Sequence, residues 1–141
     1  MRGRGNQRRY MALLLPAVLA VTSCSRPTES RAVADRFVDL YYARMSVAEA
    51  LKLCGGAART KLERELSAIA GVPPDAPSGE PRVSYELTGS STPTATQATY
   101  TYRVTARTAD VGPVVATLGL TSDAGRWLVT TFSESEGPPG S

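Results

Sequence analysis

The apolar residues change their period once along the chain, and that change constrains the fold more than any single motif. From about residue 30 to residue 70 they recur at helical spacing, and from about 82 to 133 they alternate every second position. The stretch Gly71-Val-Pro-Pro-Asp-Ala-Pro-Ser-Gly79 marks the boundary, because its prolines and glycines suit neither element. Helical segments followed by a block of strands point to helices packed on one face of an antiparallel sheet. A parallel sheet would instead show helices and strands in alternation.

In the helical half, Val33, Phe37, Leu40, Tyr41 and Arg44 form a stripe that predicts a first helix over about 30–44, ending in an Arg whose stem covers apolar surface. Ser46-Val-Ala-Glu49 matches a capping box and predicts a short second helix, which Gly55-Gly56 would close. A third helix is expected over 57–70. Leu62, Leu66, Ile69 and Ala70 would lie on its core side, with Arg59/Glu63 and Lys61/Glu65 as i, i+4 ion pairs on its solvent side.

Four strands follow. Val83, Tyr85 and Leu87 share one face of the first; Tyr100, Tyr102, Val104 and Ala106 share one face of the second. The third places Val114, Ala116, Leu118 and Leu120 together, and the fourth sets Trp127, Val129 and Thr131 against Leu128, Thr130 and Phe132. Asp110-Val-Gly-Pro113 and Asp123-Ala-Gly125 are turn sequences, and Gly89 to Thr96 is a polar loop. The expected class is α+β, with N-terminal helices on a curved four-stranded antiparallel sheet.

Ahead of this domain the chain carries Arg2, Arg4, Arg8 and Arg9, then the eleven-residue run Met11 to Val21. As a helix that run spans about 16 Å, short of the roughly 30 Å hydrocarbon core. Pro16 interrupts it, as suits an export signal better than a permanent span. The segment closes on Val21-Thr22-Ser23-Cys24, which resembles the lipobox of bacterial lipoproteins: an aliphatic residue, two small residues and a cysteine. The resemblance implies cleavage between Ser23 and Cys24 and lipid on the Cys24 thiol. Several acyl chains, at about 0.8 kcal/mol per buried methylene, would hold the protein on a membrane without spanning it. An uncleaved signal anchor is the alternative, and Arg8-Arg9 resembles a twin-arginine signal. The expected organisation is 1–23 signal peptide, 24–30 polar tether, 31–134 α+β domain and 135–141 disordered tail.

The opening Ala34-Asp-Arg-Phe-Val-Asp-Leu-Tyr-Tyr42, the helix order and the closing Gly125-Arg-Trp-Leu-Val129 resemble the NTF2-like superfamily (the SnoaL-related, cystatin-like cone) over residues 31–134. That fold hosts isomerases, dehydratases and pure binding modules, so it implies no single activity. Enzymes of the family use a carboxylate or a His-Asp pair inside the cone. This chain has no histidine. That excludes Ser-His-Asp and Cys-His nucleophile pairs and His-ligated metal sites. Asp39 and Glu86 are the weak catalytic candidates, with a tyrosine as donor. Both read as solvent-facing, Asp39 off the helix stripe and Glu86 opposite Tyr85, as do Asp35 and Asp110. Tyr85, Tyr100 and Tyr102 are weak ligand-binding candidates. The competing reading makes them large core residues whose hydroxyls reach the rim.

Cys54 falls on the Val47, Ala50, Leu51, Cys54 face and is expected to be buried. A Cys24–Cys54 disulfide is open only if Cys24 bears no lipid. Arg103 and Arg107 among threonines suit an anion or polysaccharide contact or an ordinary solvated face. Sixteen basic residues against thirteen acidic give +3. Removing the four signal arginines leaves twelve against thirteen, or −1, so nucleic acid is not an expected partner. No cofactor or metal is implied. The sequence thus points to a lipid-anchored protein of the bacterial cell envelope, facing the periplasm or the exterior and non-enzymatic, that binds a protein or a small apolar ligand and could form a homodimer. An isomerase- or dehydratase-type enzyme with a carboxylate base and an assembly factor for an envelope complex are the alternatives.

Overall fold

The computed structural model describes residues 25–71, 83–107 and 110–139. The segment read as a signal, with Ser23 and Cys24, and the boundary stretch beyond Gly71 lie outside the described residues. Helix α1 (Ser25–Val38) runs on into a π-helical turn (Asp39–Ala43), followed by α2 (Val47–Leu51) and α3 (Gly56–Ala68). Four strands, β1 (Val83–Ser90), β2 (Gln97–Ala106), β3 (Val114–Asp123) and β4 (Arg126–Glu136), form one antiparallel sheet in sequence order. The expected α+β class and the curved four-stranded meander are therefore present.

The helices cover one face of this sheet. Ala34, Phe37, Val38 and Leu40 meet Ala98, Tyr100, Tyr102, Ala116, Leu118, Leu120, Trp127, Val129 and Phe132 in one buried core, completed by Ala50, Cys54, Ala58 and Leu62. Burying a Leu, Val or Phe side chain contributes about 1.5–3 kcal/mol, so this single layer is the main source of stability. The alternation expected for β1, β2 and β3 is observed, with Ser84, Glu86 and Thr88 exposed and Tyr100, Tyr102, Val104, Ala116, Leu118 and Leu120 buried.

β4 departs from strict alternation. Leu120 pairs with Val129 and Gly119 with Thr131, so Thr130 is an extra residue, a β-bulge. The bulge reverses the facing of everything beyond it. Phe132 joins Trp127 and Val129 in the core and Thr131 turns outward, the opposite of what an unbroken period of two predicts. Thr130 Oγ1 lies 3.0 Å from Thr121 Oγ1 and donates to the Gly119 carbonyl at 3.3 Å, fixing the bulge in place. The β3–β4 turn is tight because Ala124 (φ 49°) and Gly125 (φ 81°) both take the left-handed conformation, which matches the strand twist.

Several local expectations are corrected. The described part of helix α1 (Ser25–Val38) already includes the segment read as a tether. Ser30 is buried with its Oγ 2.7 Å from the Tyr100 hydroxyl. At the other end, β4 runs to Glu136, and the Gly137 amide donates to the Pro113 carbonyl at 2.8 Å, so residues 135–137, expected in the tail, are held by the sheet.

The capping box does not close. The Ser46 side chain makes no cap, because Met45 turns the chain through φ 51° and the Ser46 amide already donates to the Leu40 carbonyl at 2.8 Å. Glu49 instead pairs with Lys52. Gly56, with φ 52°, opens α3 rather than ending α2. Between them the chain from Leu53 to Gly55 lies along β4, where the Val129 amide donates to Leu53 and the Gly55 amide donates to Val129. In α3, Leu62 is buried while Ile69 is 49% exposed, since the helix ends at Ala68 before that side chain can turn inward.

Candidate functional site

The π-helical turn is where the helical stripe is re-aimed. The Arg44 amide donates to the Asp39 carbonyl at 2.9 Å, five residues back, which inserts one extra residue into the turn. Leu40, Tyr41 and Tyr42 consequently all pack on the core, although a regular helix would turn at least one of them away. Arg44 is swung off the stripe to the exposed side, and its Nε donates to Asp39 Oδ2 at 2.7 Å. The Asp39 side chain is 32% exposed, less than its place off the stripe implies.

Beside it lies a group that the sequence reading placed in solvent. Asp35 accepts from Tyr102 Oη at 2.6 Å and from Arg31 Nε at 2.8 Å, both on the same oxygen. Arg31, Asp35 and Asp39 follow one another at intervals of four, which puts them on one side of α1, above the inner face of β1 and β2. Tyr85 packs edge-on against Tyr102, with ring centroids 6.4 Å apart. Burial pushes the Tyr85 phenol above its ordinary value, and the neighbouring Asp39 and Asp35 add to it. Tyr102 is raised by burial and by its bond to Asp35. Arg31 is raised by the same carboxylate.

A second cluster closes the other side of the helix layer. Phe37, Tyr41, Tyr42 and Phe132 form a set of stacked and edge-on rings, with Phe37 and Phe132 centroids 5.3 Å apart. Tyr41 Oη donates to Glu65 Oε2 at 2.7 Å and Tyr42 Oη donates to Glu134. Burial raises both phenols, and each is raised further by its carboxylate. Lys61 lies over the Phe132 ring at 3.9 Å and 3.7 Å from Glu134. The expected Lys61/Glu65 pair is thus replaced, because the sheet offers Lys61 an aromatic face and a strand carboxylate, while Glu65 accepts from Tyr41. Arg59 and Glu63 pair as expected, at 2.9 Å.

Of the ligand-binding candidates, Tyr100 and Tyr102 are buried and Tyr85 is partly buried at the edge of the core. The hydroxyls of Tyr41, Tyr42, Tyr100 and Tyr102 each have a protein partner. Their rings fill the core and their polar ends bind side chains of the helices or of β4. Glu86 is exposed on the outer face, as expected, in register with Arg103, so it and Asp39 are not brought together. Arg103 donates to the Pro138 carbonyl at 3.0 Å, which ties the C-terminal segment to the sheet.

Cys54 is buried, its Sγ donates to the Ala50 carbonyl at 3.4 Å, and burial pushes the thiol up to about 12. A thiol held in this way is not a nucleophile at neutral pH. A shallow pocket of about 280 Å³ opens at the N-terminal end of α1, between Glu29, Ala95, Thr96, Ser122, Ala124 and Trp127. Asp35 and Asp39 lie elsewhere. Among the described residues no group of His, Cys, Asp and Glu is arranged to hold a metal ion, and no helix is long and apolar enough to cross a membrane. The chain matches no protein-family model, and neither the curated proteins nor the solved structures provide a match.

Proposed function

We propose that this chain is a lipid-anchored protein of the bacterial envelope whose α+β domain is an NTF2-like cone serving as a binding or scaffolding module. The observation that carries the reading is Val21-Thr22-Ser23-Cys24 at the end of a basic and then apolar segment. Processing there would leave lipid on Cys24 and 118 residues outside the bilayer. A module that binds rather than catalyses is favoured by the way the polar groups are used. Asp39 is taken up by Arg44, Asp35 by Tyr102 and Arg31, and Cys54 is buried. A carboxylate-base enzyme would need Asp39 released from Arg44 and facing a substrate cavity. The partner expected for the module is a protein or a small apolar ligand.

Growth of a bacterial host with radioactive palmitate tests the anchor. The mature form should carry label and sediment with membranes, and Cys24→Ala should lose both. An unlabelled wild-type chain, or one whose label survives Cys24→Ala, would overturn the reading.

A further inference from the structure

Ser25, the residue after the proposed anchor Cys24, already has helical backbone, so no non-helical spacer separates the two. Consecutive Cα atoms are about 3.8 Å apart, and five helical residues add about 7.5 Å. Within that distance the chain has reached Ser30, which is buried and bonded to Tyr100 of β2. A lipid on Cys24 would therefore hold a fixed end of the domain, unlike a globule swinging on a long linker.

That end is defined by the structure. Glu29 of α1 shares the shallow pocket with Ala95 and Thr96 of the β1–β2 loop and with Ala124 and Gly125 of the β3–β4 turn. The loop, Ser91-Thr-Pro-Thr-Ala-Thr96, carries hydroxyls and methyls and no charge. Among the described side chains, the charged groups nearby include Glu29, Asp123, Arg126 and the Lys52–Glu49 pair, so both signs are present. Arg44, Arg103, Glu134 and Glu136 lie toward the opposite end of the sheet; Arg103 is six residues along β2 from Gln97, about 20 Å at about 3.3 Å per residue.

We propose that the end of the domain made by the α1 N-terminus, the β1–β2 loop and the β3–β4 turn rests on the lipid surface that holds Cys24. The proposal depends on the lipid-anchor reading. The short hydroxyl-rich loop meets phosphate and ester oxygens with donors and brings no block of charge to be desolvated. The shallow pocket then opens toward the headgroups, and the β2–β3 turn with the C-terminal end of β4 points away from the membrane, where a partner would be met.

The test uses the full chain, processed in a bacterial host and reconstituted in phosphatidylcholine vesicles containing a lipid with a nitroxide on its headgroup. A fluorophore is placed at Ala95→Cys or, as a second site on the same loop, Thr92→Cys, and for comparison at Val111→Cys in the far turn. All three positions are exposed, Val111 at 58%, while native Cys54 is buried. Flotation with the vesicles reports the anchor separately. Quenching severalfold stronger at 95 and 92 than at 111 is the expected result. A chain that floats but is quenched equally at both ends, or more at 111, overturns the orientation and leaves the anchor standing. A chain that does not float overturns the anchor, and the orientation with it.

Discussion

The two faces of the sheet are made by the same strands, yet they have little else in common. The inner face presents Tyr100, Tyr102, Leu118, Leu120, Trp127, Val129 and Phe132 to three helices and is buried. The outer face presents Thr99, Thr101, Arg103, Thr117 and Thr121, which are half-buried by their own neighbours in the sheet. In the central rows Thr101 pairs with Thr117 and Thr117 with Ser133, so that face is a ladder of short hydroxylated side chains. Period-two alternation sorts residues onto the two faces, and the helix layer decides which face becomes the core. The inner face should therefore control stability, whereas the outer face should tolerate change.

Thiol labelling sharpens this contrast most. Cys54, behind the helices, should react with a thiol reagent at pH 8 only when the domain opens. Its labelling rate in the native state should fall orders of magnitude below that of an outward thiol introduced as Thr117→Cys. Comparable rates would mean that the helix layer is not closed.

Phe37→Ala comes next. Phe37 is fully buried and touches Tyr41 and Phe132, so its truncation should remove about 3–5 kcal/mol in denaturant titration. A loss near 1 kcal/mol would show that the helix is loosely docked.

Alkaline pH probes the tyrosine rim. The phenols of Tyr41, Tyr42 and Tyr102 are raised above the ordinary 10.0 by burial and by their carboxylates, so the fold favours their protonated forms. The stabilisation tied to this is complete below pH 10 and is lost as pH climbs toward the folded-state values. The unfolding midpoint should fall steeply above pH 10, and less steeply in Tyr42→Phe. A flat profile would mean that the phenols are solvated.

The smallest effect is expected on the outer face, where Thr117→Ala should change stability by no more than about 0.5 kcal/mol. A larger loss would reveal that the threonine ladder is covered in solution, the signature of a partner or a second copy on that face.

Much of the architecture was legible because periodicity reports burial directly. Val83, Tyr85 and Leu87, or Ala116, Leu118 and Leu120, can be assigned to a face with no knowledge of what covers it. Two of the features that sequence reading missed come from a local break in the period. The β4 bulge turns Phe132 inward and Thr131 outward, and the π-helical turn sends Tyr41 and Tyr42 to the core together while drawing Arg44 to Asp39. Asp35 reads from the sequence as a solvent group. What brings it into the structure is Tyr102, 67 residues away in sequence. No local signal marks such a pair. Burial of Cys54 was legible from its helical spacing, whereas the parallel contact of the Cys54 segment with β4 was not.

By itself the sequence determined the α+β class, the order of elements and the inward residues of β1, β2 and β3, because each depends on spacing within a few neighbours. Tertiary structure alone decided which side chain each of Tyr41, Tyr42, Tyr100 and Tyr102 bonds, and where the helix and strand periods break. Those outcomes depend on groups far apart in the chain competing for the same hydrogen-bond partners and the same buried volume, and only the folded packing resolves that competition.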